Sequence, residues 1–180
     1  LDEAAQFAKK TAARGGVILF VGTKKQAASI VEVAAKACNM PYVHNRWLGG
    51  TLTNFASISQ TLRRFKDLKR RQEKGELSKY TKFEQLKMGE QIKLMDQSVG
   101  GIQDLARIPD AVFIFDIRKD KTALTEAVSR GVKVIAVCDT NVNPTNVNYP
   151  IAANDDAIKA IELIATHMSE AIKEGHDEWE

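Results

Sequence analysis

The sequence predicts a doubly wound α/β fold: a parallel sheet covered by helices on both faces, with an α-helical (coiled-coil) hairpin inserted into it. Three observations carry this. Apolar runs at 17–21 (VILFV), 111–116 (AVFIFD) and 132–139 (VKVIAVCD) are nearly continuous rather than alternating, the pattern of strands buried on both faces. Helical stretches alternate with these runs, which implies crossover connections and parallel strands. Over residues 54–98, between the first and second of these runs, lies a long, charged stretch with a narrow apolar seam and no strand signal.

Taken in order, residues 4–13 form a helix ended by Gly15-Gly16. The first strand, 17–21, turns at Gly22-Thr23 into a helix over 24–38, with Ile30, Val33, Ala34 and Ala37 on one face. Residues 41–44 make a short second strand, and the loop Arg46-Trp47-Leu48-Gly49-Gly50 leads to the hairpin at 54–98. On its first arm Leu52, Phe55, Ile58, Leu62, Phe65 and Leu68 recur at steps of three and four. Gly75 suits the tip, and Thr81 with Glu84 has the form of a capping box. The second arm carries Phe83, Leu86, Ile92, Met95 and Val99, and Gly89 interrupts its seam. Gly100-Gly101 ends the hairpin.

After the strand at 111–116 come a helix over 121–129, a strand over 132–139, an Asn-rich loop over 140–148 and a short edge strand over 149–152. Asn154 caps a last helix, with Asp155 and Asp156 in its first turn, that stops at Gly175 and leaves 176–180 as a loose acidic tail. The chain thus divides into an α/β body, 1–53 and 99–180, and the inserted hairpin.

Composition narrows the function. The chain has 180 residues, 44% hydrophobic and 27% charged, ordinary for a globular domain, and no apolar run approaches the roughly 20 residues of a membrane span. It begins at Leu1 with no signal pattern, which points to a cut or processed form lacking an N-terminal piece. Cys38 and Cys138 belong to no CxxC motif and read as reduced, packed thiols. His44, His167 and His176 have no metal-ligand spacing. The net charge is +3, but residues 58–98 hold 11 Lys and Arg against 6 Asp and Glu, a balance of +5 that leaves the remainder slightly acidic. A confined basic stripe suits a polyanion.

Candidate sites each admit two readings. Gly22-Thr23-Lys24-Lys25 opens a helix after a strand: either a phosphate contact or a tight turn with exposed lysines, since it matches neither common phosphate-loop spacing. Asp116 and Asp139 end parallel strands, where ligands of open sheets collect: either a magnesium site or caps of the following turns. Arg46 and Trp47 either meet an RNA backbone and an unstacked base, or Trp47 docks the hairpin on the sheet. The basic hairpin residues Arg63, Arg64, Lys66, Lys69, Arg70, Arg71, Lys74, Lys79 and Lys82 form either a solvated face or a phosphate-binding surface. No arrangement argues for catalysis.

These residues resemble a known family. Phe20 to Lys25, Arg46-Trp47-Leu48-Gly49-Gly50-Thr51-Leu52-Thr53-Asn54, Gly100-Gly101-Ile102, Pro109-Asp110-Ala111, Asp139-Thr140-Asn141 and Asn154 to Ala157 are similar, in order and spacing, to the bacterial and organellar small-subunit ribosomal protein S-two family. Its N-terminal Gly/His/Phe-rich segment has no counterpart here. Lys121, Asn148 and Ala152 stand where the family often has His, Asp and Pro. The resemblance implies a flavodoxin-like sheet, no cofactor and no enzymatic activity. It implies a place in the small ribosomal subunit, cytoplasmic or in an organelle matrix or stroma, against small-subunit rRNA and neighbouring ribosomal proteins, including the large mRNA-capturing ribosomal protein numbered one where that exists. RNA contacts are then expected from Lys24, Lys25, Arg46, Trp47, Asn54, Arg63, Arg64, Lys66, Lys69, Arg70 and Arg71. The rivals are a nucleotide- or magnesium-binding switch or enzyme built on Gly22–Lys25 with Asp116 and Asp139, and a module whose hairpin pairs with another protein helix.

Overall fold

A computed structural model describes residues 1–179. Five parallel strands, β1 (Ile18–Val21), β2 (Tyr42–Val43), β3 (Ala111–Ile114), β4 (Lys133–Cys138) and β5 (Tyr149–Ala152), lie in the order β2-β1-β3-β4-β5. This is the 2-1-3-4-5 order of flavodoxin-like sheets, whose direction of winding reverses between β1 and β3. Register follows Leu19 beside Val112 and Ala111 beside Lys133.

Alternation along the strands divides the core into two. Ile18, Phe20, Phe113, Ile135 and Ile151 pack beneath α1 (Asp2–Ala12), α2 (Lys25–Ala37) and α6 (Ile158–Trp179). Leu19, Val21, Val112, Ile114, Val134 and Ala136 face the other way, beneath α5 (Lys121–Ser129) and the root of a helical hairpin. The hairpin consists of α3 (Phe55–Glu73), a 3-10 turn (Glu76–Lys79) and α4 (Lys82–Val99), and it sits within the β2-to-β3 crossover. Ile58, Leu62, Phe65, Leu77, Ile92 and Val99 belong to the same buried cluster as that face of the sheet. Thr81 and Glu84 form the expected capping box. No helix among the described residues is long and apolar enough to cross a membrane.

Three expectations are corrected. On α2 the buried face is Ala27, Val31, Ala34 and Ala35, and Val33 points to solvent, because the small residues allow close packing on α6. On α4 Phe83 and Leu86 are 64% and 61% exposed, off the seam. The α3 seam ends at Leu68, the turn beyond it is wholly polar, and Leu77 fills the end of the seam, so the outer part of α4 has no apolar partner. Finally, α6 begins at Ile158 and runs through Gly175 to Trp179. Gly175 does not stop it. A Cβ there would stand 2.2 Å from the Lys9 carbonyl oxygen, so this glycine lets α1 lie against α6. Lys9 bridges Glu174 and Glu178 at 3.2 and 2.9 Å across the same junction. Asn154 still organises the approach to α6, its Oδ1 accepting from the N–H groups of Asp156 and Ala157.

Candidate nucleic-acid interface

The loop from Arg46 to Asn54 is folded around one carboxylate. Glu126, on the buried side of α5, accepts at Oε1 from the Trp47 indole N–H at 3.1 Å and the Gly50 N–H at 2.9 Å. Its Oε2 accepts from the Leu52 N–H at 3.0 Å and from the Thr53 N–H and hydroxyl at 3.1 Å each. One turn further along, Arg130 Nε donates to the Leu52 carbonyl at 3.0 Å. Gly50 adopts φ +92°, a conformation unfavourable to other residues, and this aims its N–H at the carboxylate. Burial opposes the charge of Glu126, but the donors from Gly50, Leu52, Trp47 and Thr53 together outweigh it and hold the carboxyl below the usual Glu value.

Trp47 is therefore only 9% exposed and docks the hairpin root on the body. This corrects the expectation that it stacks on a base: its ring is packed and its N–H is engaged. Glu126 was missing from the expected site residues. Its signal was present, because Ala123, Glu126, Ala127 and Arg130 fall at helical spacing on one face, an apolar stripe carrying a carboxylate and a guanidinium.

The turn after β1 is stitched to neighbouring loops. Thr23 donates its N–H and hydroxyl to Asp120 at 3.2 and 2.6 Å. Lys24 Nζ lies 3.1 Å from Asp116, 3.1 Å from Asp155 and 2.5 Å from Asp156. Burial disfavours the ammonium, yet Asp156, Asp116 and Asp155 outweigh it and raise its pKa. Lys24 is thus corrected from a phosphate contact to an internal cation, its side chain 18% exposed. Asp116 also accepts from the N–H groups of Arg118 and Lys119, both at 2.9 Å, and Asp139 accepts from the N–H and hydroxyl of Thr140. Both aspartates cap their own turns. The crevice where a doubly wound sheet would take a nucleotide is filled by the protein's own side chains, which removes the footing of the nucleotide or magnesium reading.

The other expected residues face outward. Lys25, Arg46 and Asn54 are exposed, and the Asn54 side chain makes no cap bond to α3. Along the hairpin, Arg63, Arg64, Lys74, Lys79, Lys82 and Lys93 are exposed and form no ion pair among the described residues. Lys66 reaches Asp104 at 2.7 Å, Lys69 lies 4.0 Å from Asp96, and Arg70 and Arg71 share Asp67 at 2.6 and 2.8 Å. Solvent-exposed pairs of this kind contribute little, about 0–1 kcal/mol, and exchange readily for another anion. Cys38 and Cys138 are free and buried, as expected, and burial pushes the Cys38 thiol up to about 12.

The ribosomal protein S2 family model matches residues 1–175. The chain belongs to the ribosomal protein S2 family. It is 44% identical over 178 residues to the small ribosomal subunit protein uS2 of Salinibacter ruber, covering 99% of this chain and 56% of that protein. It is 45% identical over 175 residues to the uS2 of Mycobacterium leprae, covering 97% of this chain and 63% of that protein. The chain therefore spans about three fifths of the length of these curated relatives. Within the S2-family chain, the loop around Glu126 and the closed β1 turn are both parts of the stretch the family model covers.

Proposed function

We propose that this chain is a structural component of the small ribosomal subunit. It holds small-subunit rRNA through the basic surface of the 54–98 arm and through Lys25, Arg46 and Asn54 at its root, and it catalyses no reaction. Family membership supports the setting, as does the printed name of both relatives, small ribosomal subunit protein uS2. The single observation that carries the RNA contact is the set of exposed cations on the arm that lack ion-pair partners among the described residues, Arg63 and Arg64 foremost. Such cations release condensed counterions from a nucleic acid and fix position rather than sequence. Neighbouring small-subunit proteins, and the large mRNA-capturing protein numbered one where present, complete its surroundings. It works within the ribosome, in the cytoplasm or in an organelle matrix or stroma.

The test replaces Arg63, Arg64, Arg70 and Arg71 with Glu and measures affinity for small-subunit rRNA across a salt series. Each lost phosphate contact lowers the slope of log affinity against log salt by about 0.7–0.9. The expected result is a shallower slope with affinity down by at least about tenfold. Unchanged affinity and slope would remove the arm from the RNA contact.

A further inference from the structure

Beside the docked loop, a groove of about 510 Å³ opens between the Arg46–Trp47 turn, the C-terminal part of α4 and the start of α5. Its volume lies in the roughly 300–1,000 Å³ range of sites that take a small organic group. We propose that this groove seats one unstacked nucleotide of RNA, its phosphate held by Arg46 and Lys119 and its base laid against Leu94. The inference rests on the RNA-binding reading above and gives it a specific point of purchase.

Charge favours an anion here. Arg46 and Lys119 are exposed, line the groove and form no ion pair among the described residues. The one carboxylate in the wall, Asp120, is buried, and both its oxygens accept from Thr23. A phosphate therefore meets two available cations and a carboxylate that is turned inward.

The rest of the lining suits a base. Leu94 is 65% exposed on α4, an apolar patch without a partner. Asn45 and Gln97 present carboxamides, each with donors and an acceptor, and Thr122 presents a hydroxyl. All three are exposed and their side chains have no hydrogen-bond partner among the described residues. An extruded base offers a flat apolar face and a polar edge, which is what such a wall can hold, and protein recognition of single-stranded RNA works on unstacked bases of this kind.

A nucleotide carried by RNA fits better than a free one. A free nucleotide in a doubly wound sheet places its phosphate in the turn after the first strand, and Lys24 closes that turn against Asp116, Asp155 and Asp156. The groove also lies at the arm's root, within a helical turn of exposed Lys93, so a strand tracking the arm's cations passes its mouth.

The experiment chemically probes unpaired nucleotides of small-subunit rRNA bound to the intact protein. It compares wild type, the double variant R46Q/K119Q and the arm variant carrying Glu at 63, 64, 70 and 71. The expected result is protection of one unpaired nucleotide by wild type. That protection disappears in R46Q/K119Q with affinity down about tenfold, while protections along the arm persist and thermal stability is unchanged. Leu94→Ser is expected to weaken the same single protection without touching a charge. An identical protection pattern for wild type and both groove variants would overturn the groove proposal while leaving the arm's role standing. Saturable binding of AMP or ADP without RNA, abolished in R46Q/K119Q and with no rRNA protection at the groove, would reassign the groove to a free nucleotide. Failure of wild type itself to bind rRNA would sink the reading beneath both.

Discussion

The α/β body and the hairpin arm use charge in opposite ways. In the body, charged groups are met by the protein's own partners: Lys24 by three aspartates, Asp120 by the N–H and hydroxyl of Thr23, Glu126 by the donors of the loop before the arm. On the arm, cations stand in solvent beside few carboxylates, and an apolar seam inside holds the helices together. The same residue types thus serve architecture in one region and availability in the other. The difference lies in burial: charges removed from water need partners, and charges left in water do not.

The comparison breaks first at Glu126. Glu126→Ala leaves the Trp47 indole N–H and three backbone N–H groups without their acceptor, and is expected to lower stability by about 4 kcal/mol in a denaturant titration. Acid acts on the same group. Its folded-state carboxyl sits below the ordinary 4.5, so its contribution is complete above about pH 4.5 and fades as pH falls through the lower folded value. The gap in stability between wild type and Glu126→Gln should therefore narrow as pH falls below about 4.5. A constant gap would mean that the carboxylate's charge is not what holds the loop.

Two substitutions on the arm sharpen the contrast between its inside and its outside. Phe65→Ala, at a fully buried seam position, is expected to cost about 3 kcal/mol. Phe83→Ala, on the outward face, should change stability by no more than about 0.5 kcal/mol. Equal effects would show that the outer part of α4 is packed after all.

Next in size is Lys24→Gln. It leaves Asp116, Asp155 and Asp156 facing one another and should destabilise by about 2 kcal/mol, less than for a wholly buried pair because the site retains some water. A larger loss of RNA affinity than of stability would return Lys24 to the list of phosphate contacts. The smallest effect belongs to the arm's surface. Replacing Arg63 and Arg64 with Gln should leave the melting temperature almost unchanged, since neither has an ion pair among the described residues.

How far the sequence could be read follows the same division. The central strands were legible because strands buried on both faces are continuously apolar, and the first arm because its seam repeats at helical spacing. The Thr81–Glu84 box was legible because its two members lie three residues apart. The hub at Glu126 was legible only by half: a carboxylate on the apolar stripe of the helix after β3 marks the acceptor, but its donors lie 73 to 79 residues earlier in the chain, and no local pattern joins the two. Phe83 and Leu86 misled because an apolar residue on a helix shows its own spacing but not whether a partner faces it. Gly175 misled because a glycine that ends a helix and one that admits a neighbouring helix look alike in sequence.

The five donors gathered on Glu126 have a mechanical consequence. They set the angle at which the arm leaves the sheet, and they do so within one turn of α5 and one short loop. Outside the apolar seam that continues the buried cluster of the sheet, the helices can exchange their surface residues without disturbing any strand. A chain built this way keeps a fixed pedestal while its outrigger is tailored to whatever it must reach.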